Sequence, residues 1–345
     1  MNFKIKTAIV ILNWNGKVFL AKFLHNIISS VSSIEAQVIV VDNGSTDGSV
    51  DWVRSNCPSA GLILFDTNYG FTKGYNQALK QIDSEYYVLL NSDVNVPANW
   101  LQPLIEHLDT HLEDAACAPK IRSFHSPENF EYAGAGGGFI DKYGYPFCRG
   151  RILDNIETDN GQYDSKINVF WASGAAFAVR AELFHKAGGL DSDFFAHMEE
   201  IDLCWRLQLM GYKISSIPDS VVYHIGGGVL PNNSPRKLYL NYRNNLLMLL
   251  KNTYKNLFTT IIIRLVLDGC SGIVYLVSGK FASFFAVIKA HYAFFIRIPL
   301  FLKKRRLQKP MFVENPDLKI YKGFVIFRYF KSGKSLTFSD LKIEN

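Results

Sequence analysis

The sequence predicts an α/β fold, a mostly parallel sheet with helices on both faces, followed by a C-terminal helical region. Two observations carry this. In the first half, short continuous apolar runs rich in β-branched residues alternate with segments of helical periodicity, the pattern of a parallel sheet buried on both sides. Beyond residue 250 the balance of charge changes. Residues 1–250 hold 20 Lys+Arg against 26 Asp+Glu, and residues 251–345 hold 17 against 5. An acidic body therefore carries a basic, aromatic-rich tail. A length of 345 residues fits one large domain plus an appendage, and 48% apolar residues are ample for a core.

The elements follow in order. Thr7–Leu12 is an apolar strand, and Lys17–Ser30 has apolar residues at helical spacing. Val38–Val41 is a strand, Asp47–Arg54 a short helix and Gly61–Phe65 a strand. Thr72–Ile82 reads as a helix and Tyr86–Leu90 as a strand. Residues 125–168, with the glycine run Ala133–Gly138, read as irregular or short antiparallel structure flanking a site. Ala181–Ala187 and Met198–Met210 read as helices, and Tyr212–Ile217 and Ser220–Tyr223 as two short strands.

Leu257–Ser278 and Phe281–Leu302 are each about long enough to span a bilayer. The first contains Arg264 and Asp268, the second Lys289, His291 and Arg297. Charges at mid-segment make insertion costly, roughly 2.5–3.5 kcal/mol each. Two helices lying in the membrane interface fit better, with Lys303, Lys304, Arg305, Arg306 and Lys309 at anionic headgroups. Domains are expected at 1–252 and 253–345. Five scattered cysteines without CxxC spacing imply neither a disulfide framework nor a zinc site. The apolar run in MNFKIKTAIVILNWNG is too short for the core of a signal peptide. The expected location is cytoplasmic, peripheral on the inner face of the cell membrane, with no nucleic acid partner.

Several residues could carry chemistry. In open parallel sheets, ligands sit at the carboxyl ends of the strands. Asp42 ends the strand VIVV, Asn43-Gly44 turns the chain, and Ser45 or Asp47 can cap the next helix. Alone, this is equally a well-capped turn. Asn91-Ser92-Asp93 ends another strand, where one aspartate can hold a hard divalent cation whose other ligands are phosphate and water. Between them, Gly70 and Gly74 permit close backbone approach. No Walker loop and no GxGxxG after the first strand is present. Glu199, Glu200 and Asp202 open a helix, a position that also merely complements the helix dipole. His224 follows a short strand and precedes Gly226-Gly227-Gly228.

Taken in order, these stretches resemble the inverting family 2 glycosyltransferases of GT-A fold, in their rhamnosyltransferase-like branch. The matching segments are VVDNGSTDGS (40–49), NYGFTKGYNQAL (68–79), LLNSDV (89–94), WASGAAFAVR (171–180), GGLDSDFFAHMEEIDLCWRLQLMGYKI (188–214), YHIGGG (223–228) and YRNNLLMLLK (242–251). Coverage is roughly residues 5–252.

The resemblance implies a GT-A Rossmann-like sheet and a role for each residue. Asp42 would read the nucleobase of a nucleoside diphosphate sugar, dTDP- or UDP-linked, with Asn13 and Trp14 enclosing the base and Asn43 and Ser45 in the same loop. Asn68, Gly74 and Asn76 would line the nucleoside side. Asn91 stands where the family's DxD-like motif has its first aspartate, and Asp93 would hold Mg²⁺ or Mn²⁺ against the diphosphate. His224 would be a further metal or phosphate contact, and Arg243 would steady the leaving group. Trp171, Ser173 and Gly174 would wall the acceptor side, the acceptor being a glycan or polyprenyl-linked saccharide.

The family usually has Glu-Asp at Glu199-Glu200, with the aspartate as base. Glu200 is therefore the favoured base, Glu199 the alternative, and Asp202 a support. Inverting transfer needs a carboxylate to deprotonate the acceptor hydroxyl and a cation to neutralise the leaving diphosphate. Asn91 and Glu200 also motivate a rival reading, a catalytically decayed nucleotide-sugar or glycan-binding module. A nucleotidyltransferase would need a basic glycine-rich signature near the first strand, and Asn13-Trp14-Asn15-Gly16 is not one.

Overall fold

The computed structural model describes residues 3–32, 34–226 and 234–343. The first part of the chain contributes β1 (Phe3–Asn13), α1 (Lys17–Ser30), β2 (Ala36–Asn43), α2 (Ser49–Asn56), β3 (Gly61–Phe65), α3 (Phe71–Leu79), β4 (Ile82–Leu90), β5 (Val94–Asn95), α4 (Gln102–Thr110) and β6 (Asp114–Ser123). A small second sheet begins with β7 (Gly138–Asp141), β8 (Pro146–Cys148), β9 (Arg151–Ile152) and β10 (Asn155–Ile156). The chain then supplies β11 (Ile167–Asn168), β12 (Ala176–Arg180), α5 (Ala181–Lys186), α6 (Glu199–Leu209) and β13 (Lys213–His224). The C-terminal part holds α7 (Pro235–Asn252), α8 (Leu257–Val277), α9 (Phe281–Gln308), β14 (Ile320–Tyr321) and α10 (Val325–Lys331).

Among the described residues the main sheet has nine strands, ordered β11-β13-β6-β12-β4-β1-β2-β3, with β5 beside the end of β13. β1 pairs in parallel with β2 and β4, β2 with β3, and β6 with β13. β12 enters antiparallel between β4 and β6. The period of two sends alternate residues to opposite faces. Ala8, Val10, Ile39 and Val41 enter one core, and Ile9, Ile11, Val38 and Val40 the other. Both faces are therefore covered, as the unbroken apolar runs require.

Differences from the expected elements have local causes. The helix expected to reach Ile82 stops at Leu79, and Ile82 opens β4 beside Phe3 of β1. The two strands expected at 212–217 and 220–223 are one, because β13 continues along β6 through a register shift between Ile217 and Val221. α4 and β6 were not anticipated, although β6 is central.

The tail contains β14 as well as helices. β14 pairs in parallel with β7, and the Val325 amide donates to the Asp141 carboxylate at 3.1 Å. Phe338 is buried against Phe139, Phe147 and Tyr163. α9 packs along α7 and against α8. Arg264 and Asp268, the charges inside α8, are turned inward and paired at 2.7 Å. The Arg264 guanidinium also lies 3.8 Å from the Tyr145 ring centroid and donates to the Tyr143 carbonyl. The outward face is left to Phe258, Ile262, Val266, Ile273 and Val277 of α8, and to Phe285, Ile288, Tyr292, Phe295 and Ile296 of α9, all exposed. By length and composition alone, both helices are apolar enough to cross a membrane.

Candidate functional site

Parallel register brings the carboxyl ends of β1, β2, β4, β6 and β13 to one edge of the sheet. Asn13 faces Asp42 across β1 and β2, and Ser123 faces His224 across β6 and β13. The loops after β1 and β2 are laced together. The buried Asp42 accepts from Asn13 Nδ2 at 3.1 Å and from the Ser45 amide at 2.9 Å. Ser45 Oγ accepts from the Asn15 amide, and Asn15 Oδ1 from the Thr46 amide. Asp47, one residue before the N-cap Gly48 of α2, accepts from the Ser49 amide, while its other oxygen takes the Lys17 amide. Trp14 stands about half exposed beside this knot, and the buried Asn13 Oδ1 has no partner among the described residues. An uncovered indole face next to an unpaired amide oxygen suits a flat heterocycle carrying N–H donors.

Three expected donor contacts face the protein instead. Asn43 braces the 68–70 loop, accepting from the Tyr69 amide and donating to Asn68 Oδ1 and the Gly70 carbonyl. A Cβ at Gly74 would meet the Leu12 methyls at 3.0 and 3.1 Å, so Gly74 lets α3 seat on β1. Asn76 holds both backbone groups of Leu190, at 2.6 and 2.9 Å.

After β4, the Asn91 amide donates to the Ala175 carbonyl, which fixes the turn that carries Asp93. β5 pairs with the end of β13, Val94 facing His224. That pairing places the buried His224 between two carboxylates, its Nε2 3.2 Å from Asp93 and its Nδ1 3.4 Å from Glu131. Burial works against the imidazolium, but the two carboxylates outweigh it and push the histidine up to about 10. The site thus favours positive charge. Asp93 offers one carboxylate oxygen to a divalent cation, while His224, held as an imidazolium, has no lone pair to give, and among the described residues no group of three or more His, Cys, Asp or Glu gathers that could hold a metal. Glu131 was not anticipated. It lies within a stretch read as irregular, and no motif marks it. Gly227 and Gly228 lie outside the described residues.

α6 begins with the acidic pair. Glu199 is buried and Glu200 half buried, and one carboxylate oxygen of each has no partner among the described residues. Burial, the neighbouring Glu200 and then Asp202 hold the Glu199 carboxyl well above the usual range. Burial pushes Glu200 up to about 7. A Cβ at Gly174 would lie 3.9 Å from Glu200 Cβ and 3.8 Å from the Phe71 ring, so the 171–174 loop runs past this carboxylate.

Two walls of the expected acceptor site are corrected. Trp171 is buried, packs flat against Gly138 and donates to the Phe139 carbonyl, so no aromatic face remains for a sugar. Ser173 Oγ is spent on the Ala133 carbonyl. Arg243 also points inward, donating to the carbonyls of Asp193 and Phe194 and to Asn244 Oδ1. Asp202 is fully buried beneath the site, bound by Arg206, Lys251 and Asn252. A cavity of about 510 Å³ lined by Tyr143, Trp205, Thr253 and Thr260 contains none of the expected site residues.

Comparison with known proteins agrees with this geometry. Residues 8–187 match the model of Glycosyl transferase family 2. The N-acetylglucosaminyl-diphospho-decaprenol L-rhamnosyltransferase of Mycobacterium tuberculosis is 24% identical over 234 residues, covering 63% of this chain and 75% of that protein. The rhamnosyltransferase WbbL of Escherichia coli K12 is 23% identical over 165 residues, covering 46% of this chain and 60% of that one. Among solved structures, S. aureus TarS 1-349 with UDP-GlcNAc superimposes at a TM-score of 0.55 and 15% identity, over 88% of each chain. The mannosyltransferase PcManGT of Pyrobaculum calidifontis with GDP-Man and Mn²⁺ does so at 0.51 and 15%, over 89% of this chain and 88% of that one. The order of motifs along the sequence and the fold they build therefore lead to one conclusion: this chain belongs to glycosyl transferase family 2, has the GT-A fold, and is a glycosyltransferase.

Proposed function

We propose that the chain is an inverting transferase that moves a sugar, rhamnose or a related hexose, from a nucleoside diphosphate donor to a glycan or lipid-linked saccharide at the membrane surface. The observation that carries the reading is the place of Glu200, 3.9 Å from a Cβ at Gly174, in the loop that the Asn91 amide ties to the turn carrying Asp93, and burial pushes this carboxyl up to about 7. A base titrating near neutrality is ionised often enough to act and basic enough to take an acceptor proton. Glu199, the more buried of the two, is less open to an acceptor. Asp93 would hold the divalent cation, whose chemistry is to neutralise the departing diphosphate, and His224 as an imidazolium would contact the phosphate. Trp14, Asn13 and the loop knotted by Asp42 form the base-binding end. No protein nucleophile is required: the acceptor oxygen bonds to the anomeric carbon as the bond to the diphosphate breaks, and Glu200 takes the proton.

The deciding experiment is a donor screen. Purified full chain with Mg²⁺ or Mn²⁺ is offered dTDP-rhamnose and UDP-sugars, and released nucleoside diphosphate is measured. Release from one donor is expected, lost by about 10³-fold or more in Asp93→Ala and in excess chelator. Full activity of Asp93→Ala in chelator would remove the metal role.

Membrane association is supported by the arrangement of α8 and α9. In α8 the charges that would oppose insertion, Arg264 and Asp268, point at the body and the apolar residues point away, while in α9 Lys289 stays exposed beside the apolar residues. Because α9 lies along α7, the hairpin is suited to lying in the interface beside the body, with Lys303, Arg306 and Lys309 reaching headgroups. The relative from Mycobacterium tuberculosis is named for a decaprenol-linked substrate, which agrees with an acceptor presented from lipid. Cys270, exposed on α8 while the other four cysteines are buried, offers a direct readout. Vesicles rich in anionic lipid should slow its reaction with a water-soluble maleimide at least tenfold. An unchanged rate with the protein bound to vesicles would place α8 outside the membrane.

A further inference from the structure

Three of the four residues before Glu199 are bent against their own preference. Phe195, His197 and Met198 have φ of 69°, 68° and 72°, the left-handed region that bulky side chains avoid. Such residues cost about 1–3 kcal/mol each and persist only where surroundings hold them. Met198 is the N-cap of α6, without a side-chain cap, so its backbone sets the direction in which Glu199 and Glu200 leave.

One amide holds this bend. Asn244, on α7 and completely buried, directs Nδ2 at three carbonyls, Phe194 at 3.0 Å, Ala196 at 2.8 Å and His197 at 2.8 Å. Its Oδ1 accepts from Arg243 Nε at 2.8 Å, which fixes the amide the right way round. Arg243 Nη2 adds bonds to the Asp193 and Phe194 carbonyls. Three carbonyls of a reversed backbone converge on a point that only a buried donor without negative charge can fill. Leucine would take the side-chain donor from the Ala196 and His197 carbonyls and leave that of Phe194 to Arg243, and aspartate would repel all three.

We propose that Asn244 is a positioning residue for the transfer, which gathers the 194–197 carbonyls and so aims Glu200 at the acceptor hydroxyl. It touches neither donor nor acceptor. The proposal rests on Glu200 being the base.

The test compares wild type, Asn244→Ala, Asn244→Ser and Glu200→Gln as full chains. Steady-state kinetics use the donor that the screen identifies, nucleotide affinity is measured with UDP and dTDP, and amide hydrogen exchange is followed by mass spectrometry. Asn244→Ala should lower kcat ten- to a hundredfold, leave donor KM and nucleotide affinity within about twofold, and speed exchange in residues 193–200 alone. Asn244→Ser, which keeps one donor, should fall between and covers the case in which the alanine variant does not fold. Unchanged kcat with faster loop exchange would overturn the proposal. So would unchanged exchange, or activity lost only in step with a general rise in exchange. Full activity in Glu200→Gln would instead refute the assignment of the base, while the exchange data still decide whether Asn244 holds the loop.

Discussion

Replacing Glu200 with glutamine is expected to lower kcat by about 10³-fold, within the range that positioned general bases contribute, with donor affinity unchanged. Glutamine keeps the shape and removes the proton acceptor. The pH profile supplies the second half of the argument. Wild-type kcat should rise with pH and level off above about 7, where burial has brought the Glu200 carboxyl. Were Glu199 the base, Glu199→Gln would be the inactive variant. Stability gives a separate check on Glu199. A carboxyl whose folded value is raised favours folding at low pH, where it is protonated in both states. That advantage is lost as pH rises above the unfolded value near 4.5. Glu199→Gln should therefore melt higher than wild type at pH 7 and equal to it near pH 4, with most activity kept. Equal melting temperatures at both values would show that Glu199 is ionised and paired in solution.

Much of this arrangement was legible in the sequence, for a physical reason. The parallel strands are buried on both faces, so they appear as unbroken apolar runs, and the residues that end them stand at the ligand edge. Asp42 ends β2 and Asp93 follows the end of β4 in this way, whereas Glu200 opens α6 and stood out only through the family resemblance. β6 was missed because DAACAPKIRS is rich in alanine and carries Pro119 and charges, although it is central to the sheet. Its Lys120 is buried on Asp159, a partner 39 residues away that no local pattern reveals. The same limit explains Asn43, Asn76, Trp171 and Arg243. Their residue types were noticed correctly, but direction depends on contacts made across the fold. Asn76 reaches Leu190 and Arg243 reaches Phe194, each through a loop whose bend sequence does not show. The charges within the apolar helices posed a similar problem. Arg264 and Asp268 made insertion look expensive, yet one helical turn apart they pair with each other and with the body, which leaves the outer face apolar.

Asp202→Asn should cost stability rather than chemistry. Asp202 is fully buried, and its oxygens accept from Arg206 at 2.9 Å, Lys251 at 2.8 Å and Asn252 at 2.8 Å. Removing its charge leaves two buried cations with too few counter-charges. Lys251 keeps Asp191, and Arg206 keeps the Ala187 and Gly189 carbonyls. Removing one partner of a buried ion pair costs roughly 3–5 kcal/mol, a large share of the roughly 5–15 kcal/mol that holds a typical domain together. Burial already pulls the Lys251 ammonium below its usual range, so the loss falls on a group that burial already disfavours as a cation. Melting temperature and activity should fall together, and activity per folded molecule should hold at low temperature. Asp202→Asn paired with Lys251→Met removes one charge of each sign, and it should recover most of the lost stability, because apolar replacement of a buried ion pair is often neutral or better. A single variant that melts like wild type but has lost turnover would move Asp202 from the foundation of the site into the reaction itself.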